Sequence, residues 1–200
     1  DLTDFPVYVD LADLSSTFWS TTPSSASLVG TDIRVTTDGG SPTELPRELV
    51  FASSTAQTGE LHFRADSISS TTDTVFRIYY NGTTTGDYAS DARYGAEKVW
   101  RNGYVAVYHL GEGDSTAPGF YTDSTSNGFD GTLTDADSDS QSVPGQLGTA
   151  FEFNGDADFI DTTIDWAHTE TEVTLSFWNQ VDTGTQNING TVFGAVSGLE

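Results

Sequence analysis

Tyr104 to Gly113 reads YVAVYHLGEG, Asp123 to Leu133 reads DSTSNGFDGTL, and Gly148 to Thr163 reads GTAFEFNGDADFIDTT, leading into VTLSFW at Val173 to Trp178. VAVYHL and VTLSFW are rich in β-branched and aromatic residues, which suit a pleated, half-buried strand. Between the apolar runs, Asp and Asn stand beside Gly at Asn127-Gly128, Asp130-Gly131 and Asn154-Gly155, as tight turns require. Strand, turn, strand, turn, strand is the order these blocks predict, and it points to an antiparallel, all-β chain.

The same alternation extends through the first hundred residues. Phe5 to Leu11, Asp32 to Thr36, Arg47 to Phe51, Glu60 to Arg64 and Thr74 to Tyr80 place apolar residues at period two, the pattern of half-buried strands. Asp38-Gly39-Gly40-Ser41-Pro42, Gln57-Thr58-Gly59 and Asn81-Gly82 punctuate them as turns. Short strands with regular turns predict a sandwich or barrel. Helix is expected for a turn or two at most. Leu11, Leu14 and Phe18 share one side of a helical spacing, and Tyr88 to Trp100 is polar with Ala, Glu and Lys. Composition changes character in that last stretch, so the sequence divides into a module over 1–97 and a second over 98–200. Its aromatic residues predict that it packs, which makes the two modules a fixed unit.

Composition narrows the function classes. With 36% hydrophobic residues, 12 Phe, 8 Tyr and 4 Trp among 200, the chain reads as globular and not as an acidic disordered tail. No apolar run approaches the roughly 20 residues of a spanning helix, so no membrane insertion is expected. Thirty acidic against seven basic residues give a net charge of −23, which repels nucleic acid and anionic membranes. The acidity is spread along the chain, as solvated faces in a salty or extracellular setting would have it. Cysteine is absent, which removes disulfides, thiolate metal sites and a Cys nucleophile. Starting at Asp1 with no Met, the sequence reads as a processed protein or an internal piece of a longer one.

Catalytic patterns are weak. His62, His109 and His168 are accompanied by no nucleophile elbow, zinc-protease helix or phosphate loop. His62 alternates with Leu61 and Phe63 and so points to the opposite face. His109, inside VAVYHL, reads as a hydrogen-bonded structural residue. A glycosidase would need two carboxyls about 5–10 Å apart. Glu152 faces away from Phe151 and Phe153 on its strand, and with Glu112 it is the candidate for that chemistry. The chain is expected not to be an enzyme.

Binding chemistry is the alternative. Hard cations take clustered oxygen ligands, and the loops 123–131 and 154–158 offer Asp123, Asp156 and Asp158 to a possible calcium ion. The same residues also make Asx turns with no ion at all. Sugar recognition would use aromatic faces on loops, here Phe120, Tyr121 and Trp166. Trp178 alternates with Ser176 and reads as core. Asn81-Gly82-Thr83 and Asn189-Gly190-Thr191 are glycosylation-type triplets.

Two resemblances add to these readings. DLTDFPVYVDL, GTDIRVTTDGG, ELPRELV, GELHFRADSISSTTDTVFRIYYNG and YGAEKVW, over nearly all of residues 1 to 100, together resemble DUF2341, a bacterial and phage domain family with no established activity. The turn order here is Asn81-Gly82 where that family more often has Gly-Asn, and its usual first strand is missing. The blocks from Tyr104 to Trp178 resemble the opening half of a laminin-G-like, concanavalin-type jelly roll. The resemblances imply two antiparallel β-sandwich modules, the second incomplete at Glu200, with Val192 to Val196 beginning a further strand. They imply an extracellular, cell-surface or virion protein that serves as a non-enzymatic adhesion or glycan-recognition module of a larger assembly. Its partners would be glycans or neighbouring protein subunits. An architectural phage virion role (tail, fibre or capsid decoration) is the rival expectation, and a glycoside hydrolase on the same scaffold is a third.

Overall fold

The computed structural model describes residues 1–21, 29–82, 86–113, 115–134, 141–153, 158–164 and 172–180. In chain order they form β1 (Leu2–Asp10), a 3-10 turn (Leu11–Asp13), α1 (Ser16–Thr21), β2 (Arg34–Thr37), β3 (Glu44–Leu45), β4 (Arg47–Ser53), β5 (Thr58–Ile68) and β6 (Phe76–Tyr79). A 3-10 turn (Ala96–Lys98) follows, then β7 (Gly131–Thr134), β8 (Gln141–Pro144), β9 (Thr149–Glu152) and β10 (Phe159–Thr162). Among the described residues every strand pairing is antiparallel, so the chain is all-β with little helix.

β5 organises the first half. Its sequence TGELHFRADSI sends Leu61, Phe63 and Ala65 to one face, where all three are buried, and Glu60, His62 and Arg64 to the other. It lies between β1, with Tyr8 opposite His62 and Asp10 opposite Glu60, and β4, with Glu48 opposite His62. A second sheet, in the order β3-β2-β6, meets the apolar face through Val35 and Leu45. The helical corner closes this core with Leu11, Phe18 and Trp19. Asp10 caps the corner by accepting a hydrogen bond from the Ala12 N–H (2.9 Å). Burying side chains of the size of Leu61 and Phe63 contributes about 1.5–3 kcal/mol each.

One irregularity sets the other face of this sheet. Leu49 pairs with Leu61 but Phe51 pairs with Glu60, so Val50 is an extra residue in β4. The bulge turns the strand locally. As a result Glu48 and Phe51 both lie on the side of β5 that carries Glu60 and His62.

The second half is held by smaller ladders, β10 with β7 and β8 with β9. Its core is Tyr121, Leu133 and Phe151, with Leu110, Phe120 and Ile160 packed against it. Two predicted strands are absent from the described residues. Tyr104 to Leu110 joins no ladder; side-chain and backbone groups of the 123–129 loop hold it instead. Val107 donates its N–H to Asp123 Oδ1 (3.0 Å) and accepts from the Ser124 N–H (2.9 Å), while the Tyr108 hydroxyl donates to the Phe129 carbonyl. Residues 172–180 also form no strand. Trp178, predicted to be core, is 74% exposed, and Val173, Leu175 and Phe177 are exposed with it. The period-two pattern is there, but no described sheet covers it. Among the described residues no helix is long and apolar enough to cross a membrane.

Candidate functional site

The face of β5 turned away from the core would be solvated in a lone sheet. Here the chain returns over it. Trp100, His109 and Ser124 approach Glu48 on β4 and Glu60 and His62 on β5, and the polar face becomes an interior. Glu60 and His62 are buried, and the side chains of Glu48 and His109 keep only small exposures.

His109 lies between two carboxylates. Its Nε2 is 3.1 Å from Glu48 Oε2 and its Nδ1 is 3.3 Å from Glu60 Oε1. The same Glu60 oxygen is 2.8 Å from His62 Nε2. Glu48 also accepts from the Trp100 indole N–H and, at 2.6 Å, from the Ser124 hydroxyl. The rings pack on one another, His62 against Trp100 (5.0 Å between centroids), against His109 (5.2 Å) and against Tyr8 (5.5 Å).

The electrostatics follow. Burial alone would lower the His109 pKa, but the hydrogen bonds and charges of Glu48 and Glu60 outweigh it and push the imidazole up to about 9. Burial would likewise raise Glu60, yet bonding to His109 and His62 pulls it down to about 2. Glu48 is lowered too, its desolvation overcome by His109, Ser124 and Trp100. A general acid or base works best with a pKa near the operating pH. His109 and Glu60 lie well to either side of neutrality and hold fixed charges there. Two imidazoles and one carboxylate also make a donor set, because the ligand atoms of Glu60, His62 and His109 all lie within 4.8 Å of one another.

Beside the cluster is a cleft of about 330 Å³ between the first sheet and the β8–β9 hairpin, lined by Tyr8, Asp10, Phe51, Gly59, Pro144 and Gly148 among others. Gly148 closes one side. A Cβ there would stand 2.7 Å from the Phe51 ring and 2.8 Å from Glu60 Oε2.

The residues singled out in the sequence lie elsewhere. Tyr121, taken for an exposed loop aromatic, is fully buried; it bridges to Gly131 and donates its hydroxyl to the Gly113 carbonyl (3.1 Å). Phe120 is half-buried against the same core. Asp123 is buried, and both its oxygens are engaged. Oδ1 accepts from the N–H groups of Val107 and Thr125, and Oδ2 from the Thr125 hydroxyl and the Phe129 N–H. A cation there would have to displace those donors. Asp158 is half-buried just before β10, while Asp156 and Trp166 lie outside the described residues. Glu152 is exposed on β9 beside buried Phe151, as alternation predicts. Glu112 is exposed and accepts from the Thr122 N–H (3.0 Å).

Glu48 and Glu60 are the members of this candidate site that the sequence does not single out. Alternation in RELV and GELH assigns them a face, but register and the covering segment come only from the fold. No protein-family model, curated protein or solved structure matches the chain.

Proposed function

We propose that the chain is a non-catalytic structural unit of a larger extracellular or particle-associated assembly, a stiff mount made of two antiparallel β-sandwich modules. The observation that carries this reading is the burial of the Glu48–His109–Glu60 cluster between early and late parts of the sequence. Such a junction fixes geometry and transmits load. The fixed charges on His109 and Glu60, spent on each other, support a role without acid–base turnover. The exposed apolar run Val173–Trp178 supports membership of an assembly, because such runs are normally covered. The resemblance of residues 1–97 to DUF2341 and of 98–200 to laminin-G-like modules agrees with a surface or virion setting.

Adhesion through glycan recognition is the second reading, and the cleft favours it. Tyr8 and Phe51 offer ring faces and Asp10 a carboxylate, the combination that sugars use. Two experiments separate the readings. Recovery from purified particles or filaments at fixed copy number, with no signal on a glycan array, is the result expected of a mount. Array binding that disappears in Tyr8→Ala transfers the role to adhesion. Hydrolysis of a glycan lost in Glu152→Gln or Glu112→Gln would overturn both.

A further inference from the structure

We propose that Glu60, His62 and His109 bind one divalent transition-metal ion of the zinc type, with Glu48 orienting His109 from behind. This goes beyond the structural reading and does not depend on it. Two imidazole nitrogens and one carboxylate oxygen suit zinc and its neighbours, whereas calcium requires six or more oxygens.

Two of the three ligand separations are near those an ion needs, and the third lies within 4.8 Å. Ligand atoms on a tetrahedral ion at about 2.0–2.1 Å stand about 3.3–3.4 Å apart. Glu60 Oε1 and His109 Nδ1 are already 3.3 Å apart, and Glu60 Oε1 and His62 Nε2, at 2.8 Å, need only a small widening. Glu60 and His62 occupy alternate positions on the central strand of a sheet, a stiffer support than a loop. The surroundings are those that ligating histidines have. Glu48 Oε2 engages His109 Nε2, so the ion would take Nδ1 by displacing the proton that Nδ1 directs at Glu60, and Trp100 and Ser124 hold Glu48 in turn. A carboxylate behind the ligating imidazole fixes its tautomer and raises its basicity. Three protein ligands leave a fourth position for water, and the neighbouring cleft passes Gly59 and Gly148, which flank Glu60.

The test is a titration of the chelator-stripped chain with Zn²⁺ by calorimetry and with Co²⁺ by visible absorption. One ion per chain is expected, with the bands of four-coordinate Co²⁺, no competition from Ca²⁺, and a thermal midpoint that Zn²⁺ raises and chelator restores. His62→Ala, shown folded by circular dichroism, should bind no ion. Glu48→Gln should keep the stoichiometry but bind about 10–100-fold more weakly. His168→Ala should match the parent chain. No uptake by the folded parent, retained binding in folded His62→Ala, or loss in His168→Ala overturns the site. X-ray absorption of the Zn²⁺-loaded parent needs no variant: imidazole scattering from two histidines supports the proposal, and an oxygen-only shell refutes it.

Discussion

The Asp123 carboxylate accepts four hydrogen bonds, three of them from backbone N–H groups at Val107, Thr125 and Phe129. One side chain thereby anchors the Tyr104–Leu110 segment at Val107, in place of a strand ladder. Asp123→Ala should leave the buried Thr125 donors unpaired at about 1–3 kcal/mol each and the half-buried Val107 and Phe129 N–H groups to water, for a total loss of about 3 kcal/mol in urea denaturation. A change below about 1 kcal/mol, the worth of one ordinary hydrogen bond, would refute that role. The cluster around His109 makes a pH prediction for the metal-free chain. His109 rises from 6.5 to about 9, so its contribution is full below pH 6.5 and is lost as pH climbs through about 9. Glu60 falls from 4.5 to about 2, so its contribution is full above pH 4.5 and is lost as pH drops through about 2. Thermal midpoints should therefore be highest between these limits. His109→Gln should flatten the alkaline side, and a parent profile already flat from pH 6.5 to 10 would contradict the assignment.

At the scale of elements, the β8–β9 hairpin meets the first sheet at Gly148, whose φ of 58° suits glycine and whose missing side chain admits Phe51 and Glu60. Gly148→Ala should push the hairpin off the cleft. The expected readout is faster amide exchange at residues 142–151 and a loss of about 1–3 kcal/mol in stability, as for other overpacked sites. Unchanged exchange would show that the contact does not hold the hairpin. The strands β1, β2, β4, β5 and β6 are legible in the sequence because apolar and polar residues alternate along them, as Leu61, Phe63 and Ala65 do on β5 over a buried core. β3 is not, since two residues carry no period. The bulge at Val50 is hidden inside the continuous run RELVFAS, and only pairing with Leu61 and Glu60 exposes it. VTLSFW has a strand's pattern without a strand, because pattern supplies a face and not the surface that must cover it.

Across the whole molecule, a charge of −23 makes compactness sensitive to salt. Raising NaCl from about 10 mM to 1 M shortens the screening length from about 30 to 3 Å. The thermal midpoint should rise by about 2–4 °C for each kcal/mol of self-repulsion removed; a midpoint that falls would mean that attractive ion pairs such as Arg47–Asp87 dominate. The candidate site was only half legible at this scale. His62 and His109 stand out as rare residues, but the two glutamates are lost among thirty acidic side chains until the fold selects them.

The cluster also prescribes an order of events as the chain is made. Glu48 meets His109 across 61 positions and Ser124 across 76, whereas β1, β4 and β5 all lie within the first 68 residues. The first sheet can finish while its two glutamates still face water, and contacts this distant in sequence close last. The expected order of synthesis thus includes a stage in which an assembled platform carries an open acidic notch. Arrival of His109 shuts it.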